Sequence, residues 1–262
     1  LSELLQIEEF QKLFMSTVSG IGGSLKRAKK RDFGRFEICC PTLEHQRRIE
    51  QIINPLNTLI ATNLETISKL EMMREGILND LLTHGITDDG NLRINGELQY
   101  LSSGESFPAS WSVNRLSDIV IEHRGGASPS SSDFTTEGVQ FVPKKAIQFG
   151  GNLVFDETLY CSNEYAERNQ SSWVDDNFIL TVLRDLVPTG PNLGLIVRNT
   201  EPGRLVLLQG VYGLRICDEI DNDFLIHLSN TNWYRSVMRR IFVGSTQVHI
   251  RLSDYLNIEI PT

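Results

Sequence analysis

A regular spacing of apolar residues between Ile49 and Leu82 constrains the fold of this sequence more than any other feature. The apolar side chains recur every seven residues at two positions of the repeat, the pattern of a coiled-coil helix. One position holds Ile53, Ile60, Ile67, Arg74 and Leu81, and the other holds Ile49, Leu56, Asn63, Leu70 and Ile77. At ~1.5 Å per residue the helix spans roughly 50 Å, more than a compact domain requires. Additional apolar residues widen the stripe, so we expect at least one partner helix.

Local signals mark the ends of this helix. Thr42, after Pro41, is expected to cap its start, and Gly85 is expected to end it after His84. Pro55 should bend it near its first third. Asn63 and Arg74 interrupt the seam, either as residues that specify register or partner, or as ordinary solvated positions. We assign the helix to residues 43–86.

Composition excludes several classes of protein. With 262 residues, 40% of them hydrophobic, the chain can bury one sizeable core or two small ones. The four cysteines match neither a metal-binding knuckle nor a disulfide framework, which favours a reducing compartment. No apolar run reaches the roughly 18 to 20 residues that a membrane span needs, and acids occupy the beginning, where a signal peptide would be basic. A soluble, cytoplasmic protein without a membrane partner is therefore expected.

Residues 87–110 are rich in Asp, Asn, Gly and Ser and are expected to form a linker with at most one short hairpin. From residue 111 to residue 262, short β-rich runs alternate with turn clusters, which predicts a compact β-rich domain. One helix is expected from Asp223 to Ile241. The fold class is α/β in the broad sense, more specifically α+β, with a β-rich domain and a long helix.

An internal repeat links the first 42 residues to the end of the chain. Both segments have a helix with an aromatic start and a central methionine, Met15 or Met238, followed by Gly-Ser, a basic loop and a strand leading to Pro-Thr. Residues 1–42 are therefore interpreted as the C-terminal tail of a first domain. Residues 111–262 are interpreted as a complete second copy.

This arrangement resembles the specificity subunit of Type I restriction-modification systems. The resemblance lies in PTLEHQRRIEQIINPLNTLI and ISKLEMMREGILNDLLTHGI, which are similar to the spacer helix of that family. FPASWSVNRLSDIV, VQFVPKKAIQFGGNL, WVDDNFILTV and GSTQVHIRLSDYLNIEIPT are similar to a target recognition domain. His45 departs from the family pattern, which has Glu-Gln there. The body of a first recognition domain and a second spacer helix are absent, so the chain resembles a fragment or a half-size subunit.

The resemblance implies a noncatalytic reader of one part of a bipartite double-stranded DNA sequence. Separate methyltransferase and restriction subunits would bring methylation and cleavage. The residues agree with this, because no lysine has an acid two positions earlier, as a common nuclease centre requires. The glycine-rich cofactor turn and Asn/Asp-Pro-Pro-aromatic motif of an adenine methyltransferase are also absent. The histidines lack zinc-ligand spacing. We therefore expect no cofactor, no metal and no catalytic residue.

Polar loops of the recognition domain are the candidate DNA contacts, because phosphate contacts position a protein and base contacts specify sequence. The net charge of −8 hides local basic segments, including residues 26–35. The candidates are Arg124, Ser128, Ser130, Lys144, Lys145, Gln148, Arg184, Arg239, Arg240, Ser245, Thr246, Gln247, His249, Arg251, Lys26, Arg27, Lys29 and Lys30. A plain surface loop or solvated charge pair is the alternative at each site.

The alternative function is a coiled-coil assembly module whose β-rich domain binds protein or carbohydrate. It predicts dimerisation without selective affinity for DNA, and the basic loops favour the DNA reader. Half-size subunits are also expected to pair through the helix seam, at Ile49, Ile53, Leu56, Ile60, Asn63, Ile67, Leu70, Arg74, Ile77 and Leu81.

Overall fold

A computed structural model describes residues 7–19, 27–28, 31, 34–36, 40–93 and 96–262 of the chain. The chain divides into two compact units, Leu1–Ile67 and Ser68–Thr262, with the division inside the long helix. The described helices of eight or more residues are α1 (Glu8–Ser16), α2 (Leu43–His84), α5 (Asn222–Ser229) and α6 (Asn232–Ile241). Three shorter ones are α3 (Leu116–Ile119), α4 (Asn163–Arg168) and α7 (Leu252–Leu256).

The strands are short, as the alternation of β-rich runs and turns predicts. Those before residue 150 are β1 (Val18–Ser19), β2 (Arg27–Ala28), β3 (Leu98–Tyr100), β4 (Ser106–Pro108), β5 (Val113–Arg115), β6 (Val120–Gly125), β7 (Phe134–Thr135) and β8 (Val139–Val142). Those after it are β9 (Tyr160–Cys161), β10 (Trp173–Val174), β11 (Ile179–Val182), β12 (Arg184–Asp185), β13 (Ile196–Arg198), β14 (Leu205–Leu207), β15 (Val211–Ile216), β16 (Val248–His249) and β17 (Glu259–Pro261). The expected α+β class is confirmed.

The long helix α2 begins and ends where its sequence signals predict. The Thr42 hydroxyl accepts a hydrogen bond from the His45 amide at 3.4 Å. Gly85 follows His84 with φ of 69°, a conformation that glycine adopts without strain, and its amide donates to the Leu81 carbonyl at 2.9 Å. The chain stays helical through Pro55, and no residue of α2 is fully buried. Most apolar residues of the helix are therefore exposed, whereas Leu82 near its end packs against the core of the second unit.

Two sheets form the centre of the second unit. One has the antiparallel strand order β13-β11-β15-β6, and the other has the order β10-β14-β8-β9-β7, in which β8 and β14 are parallel. All four residues of β11 are buried. Ile179 belongs to the core beneath the C-terminal helices, whereas Leu180 and Val182 belong to the core shared with strands β8 and β14. Because both faces of β11 are covered, three of its four residues are apolar, and the fourth, Thr181, is buried with them.

The helix expected from Asp223 to Ile241 is wrong in one respect, because it is two helices. Helix α5 ends at Ser229, and Asn230 turns back to donate its side-chain amide to the Ile226 carbonyl at 2.7 Å. Thr231 then caps α6, with its hydroxyl accepting from the Tyr234 amide at 3.2 Å. Asn and Thr side chains compete for backbone groups in this way, so they favour caps over helix interiors.

Within residues 87–110, strands β3 and β4 form an antiparallel hairpin. Leu101 and Phe107 are buried. The Glu259 carboxylate accepts hydrogen bonds from the Ser102 hydroxyl and amide at 2.6 and 3.1 Å. The Ser102 hydroxyl, as the larger cause, and the amide lower the pKa of Glu259. The hairpin is therefore packed against the last strand of the chain.

Candidate nucleic-acid interface

Strands from both sheets of the second unit end at the same place. In the first sheet, Gly125 pairs with Tyr212 and Val182 pairs with Val211. In the second, Val142 pairs with Leu207, and residues 208–210 connect β14 directly to β15. The segments that leave these strands consequently emerge together, and we call this region the loop end. It comprises residues 126–132, 143–148, 183–194 and 208–210.

Glycine allows the backbone segments of the loop end to approach closely. A Cβ atom at Gly126 would lie 2.0 Å from the Leu208 carbonyl oxygen. The segment is fixed there by hydrogen bonds from the Ala127 amide to Leu207 and from the Gln209 amide to Ala127, both 2.8 Å. A side chain at position 126 would force these strands apart.

Two predicted residues of the loop end, Lys144 and Arg184, lie together, and a third predicted residue, His249, lies next to Arg184. A Cβ atom at Gly210 would be 2.9 Å from Arg184 Cβ and 3.2 Å from Lys144 Cδ, so both side chains pack beside this glycine. Strand β12 pairs with β16 and places Arg184 opposite His249. None of the three forms an ion pair within the described part of the chain. We call them the basic cluster; an anion that reaches it would meet no competing carboxylate partner.

The predicted turn residues Ser245, Thr246 and Gln247 are exposed beside this cluster. The turn is tight, because a Cβ atom at Gly244 would lie 2.1 Å from the Gln247 carbonyl oxygen. It is closed by Val243 and His249, whose amides and carbonyls exchange hydrogen bonds of 2.9 Å. The backbone therefore presents the polar side chains of the turn outward. We call residues 244–247 the polar turn.

Two predicted arginines, the half-buried Arg124 and the exposed Arg240, make contacts with other parts of the domain. Arg124 donates from Nε to the Glu122 carboxylate and from Nη1 to the Trp173 carbonyl, both at 2.7 Å, and lies over the Phe178 ring. Arg240 donates to the Ser103 carbonyl at 3.0 Å and lies 3.8 Å from the Glu105 carboxylate. These contacts bind Arg124 to β10 and α6 to the hairpin, so neither guanidinium is as free as that of Arg184.

Some of the remaining predicted residues of the second unit form ion pairs or hydrogen bonds within the chain, and others do not. Lys145 pairs with the Glu157 carboxylate at 3.2 Å, and the Gln148 side chain donates to the Lys145 carbonyl at 2.9 Å. The Ser130 hydroxyl donates to Asp133 at 2.6 Å, and this hydrogen bond is the main cause that lowers the pKa of Asp133. Ser128, Arg239 and Arg251 are exposed, and neither arginine forms an ion pair in the described structure.

In the first unit, Lys26, Lys29 and Lys30 lie outside the described residues. Arg27 lies in strand β2, which pairs with β1, and the structure describes only its backbone. In helix α2, the predicted interface residues Ile49, Leu56, Ile60, Ile67, Leu70 and Ile77 are each 48–58% exposed. Asn63, Arg74 and Leu81 are exposed too, and Ile53 is half-buried.

Sequence reasoning missed Arg235, whose buried side chain supports one loop of the loop end through hydrogen bonds. Its side chain is buried, and its guanidinium donates to the carbonyls of Gly190, Pro191 and Leu193. Burial is the main cause that lowers the pKa of Arg235, although a guanidinium stays charged in proteins. In the sequence, Arg235 is one more cation in a basic helix, and no local signal distinguishes it from the exposed Arg239.

The described residues contain no group of three or more His, Cys, Asp or Glu side chains placed to hold a metal ion. None of their helices is both long enough and apolar enough to cross a bilayer.

No model of a known protein family matches the sequence. It is 24% identical over 242 residues to the Type I restriction enzyme MjaVIII specificity subunit of Methanocaldococcus jannaschii, covering 92% of this chain and 54% of that protein. The chain thus spans about half the length of this curated relative.

Two solved structures are similar to the fold. A chain from a type I R-M system, in a structure concerned with complex assembly and conformational transition, matches with a TM-score of 0.54 and 20% identity, over 93% of this chain and 54% of that one. The HsdS subunit from Thermoanaerobacter tengcongensis matches with a TM-score of 0.47 and 18% identity, over 95% of this chain and 55% of that one.

Proposed function

We propose that this chain, a relative of the specificity subunits of Type I restriction enzymes, is a noncatalytic DNA-recognition subunit. It reads part of a bipartite duplex sequence and docks methyltransferase subunits, with a restriction subunit joining the same cytoplasmic complex. The sequence relationship to a Type I specificity subunit over 92% of the chain supports this proposal.

The basic cluster is the observation that carries the proposal. Lys144, Arg184 and His249 come from three separate segments and lie at one end of two packed sheets, although the whole chain is acidic at −8. Cationic side chains without carboxylate partners attract phosphates, and adjacent polar side chains can meet base edges. The polar turn supplies Ser245, Thr246 and Gln247 next to the cluster. Arg124 and Arg240 contribute less directly, by fixing the domain that carries these groups.

The division of labour along the chain is part of the proposal. Residues 1–42 are the tail of a first recognition domain, residues 43–86 the spacer helix and residues 111–262 the complete recognition domain. Residues 87–110 form a linker whose hairpin is packed rather than extended. The exposed apolar residues of α2 support pairing with a helix of another chain, including a second copy of this one.

Co-expression with the proteins encoded by the neighbouring genes, followed by DNA selection, tests the proposal. The purified complex is incubated with random duplex DNA at rising salt, and the retained DNA is sequenced. We expect one short motif to be enriched and the methyltransferase subunit to be retained. Unselective DNA binding without a retained methyltransferase would overturn the proposal and favour the coiled-coil assembly module.

A further inference from the structure

Two exposed aliphatic side chains stand at the loop end. Leu186 is 60% exposed and Val187 is 48% exposed, directly after strand β12. Pro188 and Thr189 are exposed as well, whereas Gly190 is buried. We call residues 186–189 the apolar tip. These adjacent aliphatic side chains do not pack in the core. Their exposure is typical of a site that contacts a binding partner.

The apolar tip is held in one conformation by two charged side chains. The Asp185 carboxylate accepts hydrogen bonds from the Val187 amide at 2.9 Å and from the Asn192 amide at 3.4 Å. The Val187 carbonyl accepts from the Gly190 amide at 2.9 Å. Arg235 binds the following segment of the same loop by donating to the carbonyls of Gly190, Pro191 and Leu193. A preorganised loop loses little conformational entropy when it binds.

The neighbours of the apolar tip indicate what it meets. Strands β12 and β16 are antiparallel, and Asp185 pairs with Val248, so the tip follows β12 at the end where the polar turn precedes β16. The basic cluster lies at the base of the same ladder. An aliphatic tip, a glutamine and the two cations Lys144 and Arg184 thus occupy one surface. Cations suit phosphates, glutamine suits adenine, and aliphatic groups suit the thymine methyl.

We propose that the apolar tip and the polar turn together read A·T pairs in the DNA major groove, with Leu186 and Val187 against thymine methyl groups and Gln247 toward adenine. This inference rests on the proposed function and adds the base type and the residues that read it. A two-stranded ladder fits the major groove, about 12 Å wide, better than the minor groove, about 6 Å wide. Only the major groove displays the thymine methyl.

The test uses the complex with the methyltransferase subunit and the motif selected by the unaltered protein. Each thymine of the motif is replaced in turn by deoxyuridine, which removes only the methyl group. At the contacted thymines we expect affinity to fall about fourfold per methyl group. The double variant Leu186→Ser with Val187→Ser should bind the thymine and deoxyuridine duplexes equally.

Ile121→Ser is the matched control, since Ile121 is also 60% exposed but lies near the start of β6, away from the loop end. It should retain the preference for thymine. If a motif is selected but deoxyuridine has no effect at any position, the apolar tip does not read thymine and this inference is overturned while the proposed function stands. If no motif is selected, the proposed function itself has failed.

Discussion

At the scale of single residues, Arg235 is the side chain on which the loop end depends most. It joins α6 to the carbonyls of Gly190, Pro191 and Leu193. In Arg235→Met these carbonyls, of which those of Gly190 and Leu193 belong to buried residues, lose their donors, so we expect the free energy of unfolding to fall by about 3 kcal/mol. Arg239→Met is the control, because Arg239 is exposed on the same helix. Chemical denaturation measures both, and equal stability of the two variants would show that the Arg235 contacts contribute nothing.

A buried pair of tyrosines is expected to lower the stability of the fold at alkaline pH. Tyr234 donates its hydroxyl proton to Tyr255 at 3.0 Å, and both are fully buried. Burial, as the largest cause, raises the pKa of each above the ordinary tyrosine value of 10.0. The neutral phenols therefore stabilise the fold fully below that value. Above it the unfolded chain ionises first, so stability falls as pH rises toward the folded-state pKa values.

Denaturation midpoints measured from about pH 8 to about pH 11 test this dependence. We expect a constant midpoint up to about pH 9.5 and a steep fall above it. Tyr255→Phe removes one ionisable group and should make the fall shallower. Exposed Tyr100→Phe should leave the profile unchanged, because Tyr100 is 70% exposed. A flat midpoint across the range in the unaltered protein would contradict the assignment.

At the scale of elements, the sequence predicts a helix correctly where its apolar repeat and its local capping signals agree. The bounds of α2 follow from Thr42 and Gly85 because capping is local. The single helix expected across Asn230 was wrong because the apolar period continued while local side-chain hydrogen bonds ended the helix. The basic cluster was beyond sequence reasoning, since Lys144, Arg184 and His249 meet only through long-range strand register. A list of basic and polar loop residues contained them without distinguishing them from the internally bonded Arg124.

The exposed seam of α2 leads to a prediction about assembly. Ile60 and Ile67 are 57% and 52% exposed, so Ile60→Glu with Ile67→Glu removes no buried contact within the chain. We expect the double variant to keep its melting temperature but to lose self-association, because charges in a paired seam are costly. Sedimentation at micromolar concentration measures the self-association of the unaltered protein and of the double variant. Met72→Glu, outside the seam and 65% exposed, is the control, and loss of association in this control alone would place the interface elsewhere.

At the scale of the whole molecule, an acidic chain of net charge −8 is proposed to bind a polyanion, so the arrangement of charge must outweigh its sum. The contribution of the basic cluster to DNA binding can be measured from the dependence of affinity on salt concentration. The logarithm of the association constant should fall linearly with the logarithm of salt concentration, and each lost phosphate contact reduces the slope by about 0.9. Lys144→Gln with Arg184→Gln is thus expected to reduce the slope by about 1.8 if both contact phosphates.

Arg198→Gln separates a local effect from the change in total charge. Arg198 pairs with Ile179 at the opposite end of β11 from Arg184 and forms an ion pair with Asp223. The substitution Arg198→Gln removes one positive charge, as Lys144→Gln and Arg184→Gln each do, but it does so at the far edge of the sheet. Because exposed charges beyond a Debye length, about 8 Å at physiological salt, are largely screened, its slope should match that of the unaltered protein. The single variants Arg198→Gln and Lys144→Gln are compared directly. If both reduce the slope equally, the protein binds DNA through diffuse charge rather than through the loop end.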